Sequence, residues 1–164
     1  MTVPNRMFQP WAKLHSNIAQ GAKITTGSMA VVDGMNLSFE GLSTPSLQQL
    51  LEQLTHLVTK FDHVFVVLDR SMRPRLNASE HQLFDQVVAN GYQGAVFTQV
   101  AQGQSADRFI LKEARSNGAI VVSNDSFREW QEEFPWILES DRILGATKGW
   151  SDWDFDYRTP RRAD

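Results

Sequence analysis

The sequence predicts an α/β fold of the doubly wound type, a mainly parallel sheet of about five strands with helices on both faces. Two observations lead to this prediction. The candidate strands are continuous apolar runs, which is typical of strands buried on both faces. Segments with helical periodicity separate these runs, and this alternation favours right-handed crossovers between parallel strands. A length of 164 residues with 41% hydrophobic residues is sufficient for one domain with a single core.

Four clear apolar runs and a short fifth one are the predicted strands. They cover residues 29–32, 64–68, 95–97, 119–122 and 142–144. Residues 1–28 show no sustained periodicity, so we interpret them as an irregular N-terminal arm. Residues 29–164 are then a single domain. Its tail, from Ser151 onward, is dominated by polar and aromatic residues, and no helix or strand is predicted in it.

Four helices are predicted between and after the strands. The first starts at Thr44-Pro45 and carries apolar residues spaced three or four apart. Its buried face is predicted to consist of Leu47, Leu50, Leu51, Leu54, Leu57 and Val58. The second starts near Asn77, where Glu80 completes a capping box, and stops at Gly91. Its buried residues are predicted to be Leu83, Phe84, Val87 and Val88. The third and fourth helices cover about residues 105–117 and 126–134.

The composition excludes several kinds of site. The chain contains no cysteine, which removes disulfides, thiolate nucleophiles and cysteine zinc sites. Its four histidines lack the close spacing that helical zinc motifs use. No apolar run approaches the ~20 residues of a membrane span, and no signal peptide is recognisable. We therefore expect a cytoplasmic protein without a membrane partner.

The net charge of −3 argues at first sight against a nucleic-acid partner. A site rich in carboxylates would make the total negative, however, so the distribution of charge matters more than its sum. Arginines form two clusters, which comprise Arg70, Arg73 and Arg75, and Arg158, Arg161 and Arg162. Solvated surface arginines are the more common explanation of such clusters.

Aspartates follow three of the four clear strands. These are Asp33, Asp69 and Asp125, and a further one, Asp107, lies in the first turn of the helix before the fourth strand. In doubly wound sheets the working site lies at the carboxyl ends of the strands, near the point where the strand order reverses. If the first and fourth strands are neighbours, Asp33, Asp107 and Asp125 converge there. Such carboxylates repel one another unless a cation neutralises them, and hard oxygen ligands favour Mg²⁺ or Mn²⁺.

Each acid also has a structural explanation. Asp33 precedes a glycine and would suit a turn, and Asp107 at a helix start would favour the helix dipole. Asp125 would suit a helix N-cap, and Glu129 would complete a capping box with the serine three residues before it. Their joint placement at strand ends is what favours a functional site.

Around these acids the sequence resembles the NYN domain of the PIN-like nuclease superfamily, in its Regnase or MCPIP-type (Zc3h12a-like) branch. Three blocks carry the resemblance, which are Val32–Asn36 (VDGMN), Asp107–Lys112 (DRFILK) and Val121–Arg128 (VVSNDSFR). It covers roughly residues 28–160. The second and third blocks are the more specific ones.

The resemblance implies a metal-dependent endoribonuclease that hydrolyses single-stranded or looped RNA. By position, Asp33, Asp107 and Asp125 correspond to acidic metal-site residues, and Glu129 corresponds to a further acid one helical turn on. Asn36 would help to hold the site or the scissile phosphate. The resemblance also implies Mg²⁺ or Mn²⁺ as cofactor and RNA as partner.

One departure from the family pattern concerns Ala106. The family often has a pair of acids before the arginine of the second block, whereas this chain has Ala106-Asp107. One outer carboxylate is therefore absent, and Asp69 is the candidate to compensate for it. This departure keeps open an alternative, a catalytically weak or inactive RNA-binding domain of the same fold.

The candidate phosphate contacts are basic residues near these blocks, namely Arg108, Lys112, Arg70, Arg73 and Arg75. Arg108 would equally suit a structural ion pair. Trp130 or Phe39 would suit stacking on an unpaired base, although packing is the more common role of such residues. The sequence leaves the oligomeric state open, with a homodimer as one option. A phosphoacceptor receiver domain and a haloacid-dehalogenase-type phosphatase fit less well, because both need a second acid close to Asp33.

Overall fold

A computed structural model describes residues 29–164, and the predicted arm at 1–28 lies outside the described residues. Six strands form one sheet in the order β3-β2-β1-β4-β5-β6. The strands are β1 (Met29–Asp33), β2 (His63–Leu68), β3 (Val96–Gln99), β4 (Ile120–Val122), β5 (Ile143–Lys148) and β6 (Trp153–Arg158). All neighbouring strands are parallel except β5 and β6, which are antiparallel. The predicted doubly wound, mainly parallel sheet is confirmed, and β1 and β4 are neighbours.

Helices cover both faces of the sheet. They are α1 (Gly34–Phe39), α2 (Leu47–Lys60), α3 (Met72–Arg75), α4 (His81–Asn90) and α5 (Ala106–Asn117). Three short 3₁₀ segments supplement them at Ala78–Glu80, Arg128–Trp130 and Pro135–Leu138. Among residues 29–164, no helix combines the length and the apolar character that crossing a lipid bilayer requires.

The side chains of the central strands alternate between two apolar layers, as the period of two in a strand requires. On one face Ala30 and Val32 of β1 pack with the buried residues of α2 and α4. On the other face Met29 and Val31 pack with Ile110 and other buried residues of α5. Burial on both faces explains why the central strands are continuous apolar runs in the sequence.

The predicted buried face of α2 is confirmed, but its start is not at Thr44-Pro45. Ser46 is the N-cap, and its hydroxyl accepts a hydrogen bond from the backbone N–H of Gln49. Leucines 47, 50, 51, 54 and 57 are buried, and Val58 is partly buried. The helix therefore begins two residues after the proline.

The predicted capping box of Asn77 and Glu80 is wrong. Asn77 makes no side-chain cap, and a 3₁₀ turn precedes the α-helix, which starts at His81. The carboxylate of Glu80 instead accepts a hydrogen bond from the backbone N–H of Gln48 on α2, at 3.1 Å. Glu80 thus provides a hydrogen-bond acceptor for a backbone N–H in the first turn of α2 instead of capping its own helix. Leu83 is 41% exposed and is not a core residue.

The predicted fourth helix at 126–134 is also wrong. The segment forms 3₁₀ turns, and Phe127 takes a left-handed conformation with φ of 49°. Phe127 is nevertheless buried, and its backbone N–H donates to Oδ1 of Asp125 at 2.7 Å. The turn closed by Asp125 and the burial of Phe127 override the local helical pattern.

The strand β6 at Trp153–Arg158 was not predicted. The sequence suggested about five strands, whereas β6 adds a sixth, and β5 extends to Lys148. Only Trp153 of β6 is fully buried, because this strand is at the edge of the sheet and one of its faces is largely exposed. An edge strand of this kind lacks the continuous apolar run by which the other strands were recognised.

Gly34 allows the chain to pass close to β2. A Cβ atom at this position would lie 2.5 Å from Cδ2 of Leu68 and 3.0 Å from the carbonyl oxygen of Val67. The Asp33-Gly34 pair is thus more than a turn. Asp33 is the N-cap of α1, and Gly34 lets that helix begin directly against the neighbouring strand.

Candidate active site

The candidate site lies where the order of the parallel strands reverses. The chain runs from β1 outward to β2 and β3, and then returns to β4 on the other side of β1. Asp33 is the last residue of β1, and Ser123-Asn124-Asp125 directly follows β4. The carboxyl ends of β1 and β4 thus bring these two segments side by side, at the position where doubly wound sheets bind ligands.

Asp33 is a buried carboxylate held by hydrogen bonds to both of its oxygens. Its Oδ1 accepts from the backbone N–H of Asn36 at 3.1 Å, and its Oδ2 accepts from the hydroxyl of Ser123 at 2.8 Å. The hydroxyl oxygen of Ser123 also accepts from the backbone N–H of Asp125, at 3.0 Å. One serine therefore connects the candidate acids that follow β1 and β4.

Burial raises the pKa of Asp33 to about 7, against an ordinary value of 3.8. The hydrogen bonds from Asn36 and Ser123 act in the opposite direction. The negative charges of Asp107 and Asp125 raise the pKa further. Since charge repulsion of this kind requires proximity, Asp107 and Asp125 both lie near Asp33.

Asp107 lies in the first turn of α5, whose N-cap is Ser105. Burial raises its pKa to about 6, and the charges of Asp125, Glu129 and Asp69 contribute in that order. A hydrogen bond from the side chain of Trp130 partly offsets these effects. The predicted outer acid Glu129 therefore faces the same cluster as Asp107, and so does Asp69, which the sequence offered only as a compensating residue.

Asn36 holds the loop after β4. Its Oδ1 accepts a hydrogen bond from the backbone N–H of Asn124 at 2.9 Å. The side chain of Asn124 in turn pairs with the backbone of Ala146 on β5, with hydrogen bonds of 2.8 and 2.7 Å, and donates to the carboxylate of Glu40 at 2.7 Å. Of the two roles expected for Asn36, the structure contains the first, in which it holds the site.

Arg158 binds the other side of this loop from β6. Its Nε donates to the carbonyl oxygen of Ser123 at 3.1 Å, and its Nη2 donates to the carbonyl oxygen of Asp125. Gly145 on β5 leaves room for it, because a Cβ there would lie 2.9 Å from Cδ of Arg158. Burial lowers the pKa of Arg158, whereas the nearby charge of Asp125 acts in the opposite direction.

The donor set of this cluster fits a hard divalent cation. Its carboxylates supply oxygen ligands, and the negative charges that add to the effect of burial on the pKa of Asp33 and Asp107 are ones that a cation would neutralise. Within residues 29–164, however, no three acidic or histidine side chains are close enough together to form a ready-made metal site. Binding a cation here would require the carboxylates to move closer to one another.

The predicted phosphate contacts lie outside this cluster, and two of them are in ion pairs. Arg108 binds Glu133, with a shortest contact of 2.8 Å, and Arg73 binds Asp85 through two contacts of 2.7 Å. All four of these side chains are at least 40% exposed. The guanidinium of Arg75 lies 4.7 Å from the ring centre of Phe39, and Arg70 and Lys112 are exposed.

Sequence reasoning missed four residues of this site, namely Ser123, Asn124, Trp130 as a partner of Asp107, and Arg158. Ser123 and Asn124 lay inside the third sequence block, but a hydroxyl and an amide gave no indication of their partners. For Trp130 the sequence indicates only stacking or packing. Arg158 belonged to an arginine cluster that suggested solvated surface, and it reaches the site only because the unpredicted β6 pairs with β5.

One family of known proteins matches most of this chain. Residues 27–148 match the family described as Zc3h12a-like ribonuclease NYN domain. No curated protein matches the sequence.

Two solved structures of nuclear RNase P 2 (PRORP2) from Arabidopsis thaliana are similar in fold. The first, a protein-only RNase P, has a TM-score of 0.57 at 16% identity, over 94% of this chain and 34% of that chain. The second, a crystal structure of the proteinaceous RNase P, has a TM-score of 0.59 at 17% identity, over 99% of this chain and 38% of that chain. The chain thus spans little more than a third of these proteins, and at such identity the likeness concerns the fold alone.

Proposed function

The chain belongs to the Zc3h12a-like ribonuclease NYN domain family, and from this premise we propose that it is a divalent-metal-dependent endoribonuclease acting on single-stranded or looped RNA. The observation that carries the proposal is the convergence of Asp33, Asp107 and Asp125 where β1 and β4 end. Burial, and then the neighbouring negative charges, raise the pKa of Asp33 and of Asp107, and perturbed acids grouped in this way are typical of functional sites.

In the proposed mechanism Asp33, Asp107 and Asp125 would hold Mg²⁺ or Mn²⁺, with Glu129 or Asp69 as an outer acid. A bound cation would supply activation of water and neutralisation of charge on the phosphate. In-line attack of water on the phosphorus would break its bond to the 3′ oxygen, which would leave as the 3′-hydroxyl, and the other product would carry a 5′-phosphate.

The contribution of the chain's own residues is to fix the carboxylates before substrate binds. The Asn36 N–H and the Ser123 hydroxyl orient Asp33, while Trp130 donates to Asp107. Arg158 and Asn36 fix the loop that carries Asp125. Preorganised groups cost little reorganisation during reaction, which is why such supports matter for rate.

Exposed cations near the cluster are the proposed contacts to the RNA backbone. The groups proposed for this role are Arg108, Lys112, Arg70, Arg73 and Arg75. Exposed ion pairs contribute little to stability, so Arg73 and Arg108 can exchange a carboxylate partner for a phosphate at little cost.

A catalytically weak RNA-binding domain is the second candidate, and Ala106 favours it. The absent acid would weaken a cation site whose carboxylates are not yet gathered into a coordination sphere. Both candidates predict RNA binding, and they differ in whether the strand is cut.

The deciding experiment incubates the purified protein with labelled single-stranded RNA, stem-loop RNA and DNA, in Mn²⁺, Mg²⁺ or EDTA. We expect cleavage of unpaired RNA that requires the cation and is lost in Asp33→Asn. The matched control is Asp62→Asn, because Asp62 is exposed and precedes β2, at the opposite end of the strands from the site. RNA binding without cleavage under any metal condition would support the second candidate, and cation-dependent cleavage that survives Asp33→Asn in a folded protein would overturn the proposed site.

A further inference from the structure

A pocket of about 360 Å³ opens beside the start of α5. The loop 103–105, Arg108, Phe109, Lys112 and Trp130 line it. The three helical residues lie one, three or four positions apart, so that a single face of α5 supplies them. Cavities from about 300 Å³ upward are the usual size of ligand sites in proteins.

Trp130 connects this pocket to the acidic cluster. Its ring forms part of the pocket wall, and its side chain donates a hydrogen bond to the carboxylate of Asp107. Asp107 also precedes Arg108 directly in the chain. A ligand in the pocket would therefore lie one side chain away from a proposed metal ligand.

The chemistry of the wall suits one nucleotide. Phe109 and Trp130 are partly exposed aromatic side chains, and Lys112 is an exposed cation. Aromatic faces beside cations are how proteins bind single-stranded nucleic acid, with the bases stacked on the rings and the phosphates near the positive charges. The guanidinium of Arg108, 47% exposed in its ion pair with Glu133, adds a second cation.

A paired base would not suit this pocket. In a duplex the faces of each base are covered by its stacked neighbours and its edge is occupied by its partner, so the base must leave the stack to enter a pocket. An unpaired nucleotide already has a free base face, so less free energy is lost to unstacking and unpairing when it enters the pocket. A pocket that stacks a single base on its aromatic wall thus favours unpaired strands over duplexes.

We propose that this pocket binds one unpaired nucleotide of the RNA, next to the phosphate that the acidic cluster cleaves. Its base stacks on Phe109 or Trp130, and its phosphate contacts Lys112 and Arg108. The inference rests on the proposed function and adds to it the element that selects unpaired RNA. Loss of the pocket would reduce binding, whereas loss of the acids would abolish cleavage.

The test measures binding in EDTA, so that cleavage plays no part. Anisotropy of a short labelled RNA is compared between intact single strands, the same strand with its bases removed, and a duplex. The variants are Phe109→Leu, which keeps an apolar side chain, and Lys112→Gln. The control is Lys60→Gln, since Lys60 is exposed at the far end of α2.

We expect Phe109→Leu to weaken binding of intact single strands about five- to tenfold and to leave binding of the abasic strand unchanged. Lys112→Gln should weaken both about twofold to fivefold and reduce the salt dependence of binding, with Lys60→Gln unchanged. Thermal melting of each variant checks the fold, and the surface position of Lys112 keeps one arm of the test independent of packing.

The inference is overturned if Phe109→Leu binds intact RNA like the parent protein, if it loses abasic RNA to the same degree, or if the protein binds duplex as tightly as single strands. Cleavage by the parent protein together with any of these results would refute the pocket and leave the proposed function intact. Base-dependent binding without cleavage in any cation would refute the proposed function and leave the pocket as a binding site for an unpaired nucleotide.

Discussion

The hydroxyl of Ser123 donates a hydrogen bond of 2.8 Å to Oδ2 of Asp33, so the residue after β4 contacts the last residue of β1. The contact lies within the core layer of the sheet, where Ser123 is fully buried and Asp33 is 5% exposed. A carboxylate in this position is costly to ionise, because burial disfavours its charged form. The fold therefore keeps an acid at a place where stability alone would favour a neutral group.

Replacing Asp33 with asparagine should stabilise the protein at high pH. The pKa of Asp33 is about 7 in the folded protein and 3.8 ordinarily, so the folded state binds the proton more tightly. Ionisation then reduces the free energy of unfolding progressively from about pH 4 to about pH 7, and the full cost persists above pH 7. In EDTA at pH 8 we expect Asp33→Asn to gain on the order of 2–4 kcal/mol, and to gain almost nothing near pH 4.

Thermal melting between pH 4 and pH 8 measures this effect. The control Asp62→Asn should follow the parent protein at every pH, because its side chain is exposed. A gain from Asp33→Asn that is equal at pH 4 and pH 8 would show that ionisation of Asp33 is not its source.

Replacing Arg158 with lysine or alanine should disturb catalysis through the loop of Asp125. Alanine leaves the carbonyl oxygens of Ser123 and Asp125 without this donor, at a cost of about 1–3 kcal/mol in the free energy of unfolding. We expect kcat to fall and the Mn²⁺ concentration for half-maximal activity to rise several-fold, with KM for RNA nearly constant. Lysine should recover part of the loss, since one ammonium cannot reproduce the fork of the guanidinium.

Titration of activity with Mn²⁺ at several RNA concentrations distinguishes this role from direct RNA binding. A contact to RNA would raise KM and leave the metal requirement unchanged, which would contradict a positioning role. Arg162→Gln is the matched control, because Arg162 is an exposed arginine of the same cluster.

Ala106→Asp should tighten cation binding. The substitution places a carboxylate in the first turn of α5, where negative charge suits the helix dipole, one residue from Asp107. We expect the Mn²⁺ or Mg²⁺ concentration for half-maximal activity to fall about threefold or more. Ala78→Asp serves as control, because it adds the same charge at the exposed first residue of the 3₁₀ segment Ala78–Glu80. Equal effects of the two substitutions would indicate a general effect of charge and would count against a deficient site at Ala106.

Gly34→Ala should destabilise the fold. The new methyl group would lie 2.5 Å from Cδ2 of Leu68 and 3.0 Å from a backbone oxygen of β2, so that the buried Leu68 side chain must move or α1 must shift away from β2. Overpacking of this kind costs about 1–3 kcal/mol, which for a domain of this size lowers the Tm by several degrees. Gly41→Ala is an informative comparison, because its methyl group would meet no atom within 4 Å and its only cost arises from a φ of +70°. A smaller loss at Gly34 than at Gly41 would contradict the close approach to β2.

The central sheet was predictable because strands that are buried on both faces are continuous apolar runs in the sequence. Strands β1, β2 and β4 are uninterrupted apolar runs, and the aspartates at their ends follow from that assignment. Convergence of Asp33 with Asp107 and Asp125 required only that β1 and β4 be neighbours, which the structure confirms. The role of these residues as metal ligands stays a prediction.

The missed features depend on contacts between distant parts of the chain. Glu80 suited a capping box by spacing but bonds to Gln48, and the helical pattern around Phe127 was overridden by the buried ring and the turn that Asp125 closes. Arg158 is 33 residues from Asp125 in sequence. A sequence pattern reports local preference, whereas the contacts of Glu80 and Arg158 join distant parts of the chain. The turn between Asp125 and Phe127 is short, but it forms because the ring of Phe127 is buried in the core.

The pairing of β6 with β5 has a practical consequence for anyone who produces this domain. The family match ends at residue 148, which is also the last residue of β5. A recombinant protein trimmed to that boundary would lose Arg158 and would expose a six-residue edge of unpaired backbone N–H and carbonyl groups. Such edges recruit strands from other molecules, so the trimmed protein would tend to aggregate. Its inactivity could then be mistaken for a property of the acidic cluster.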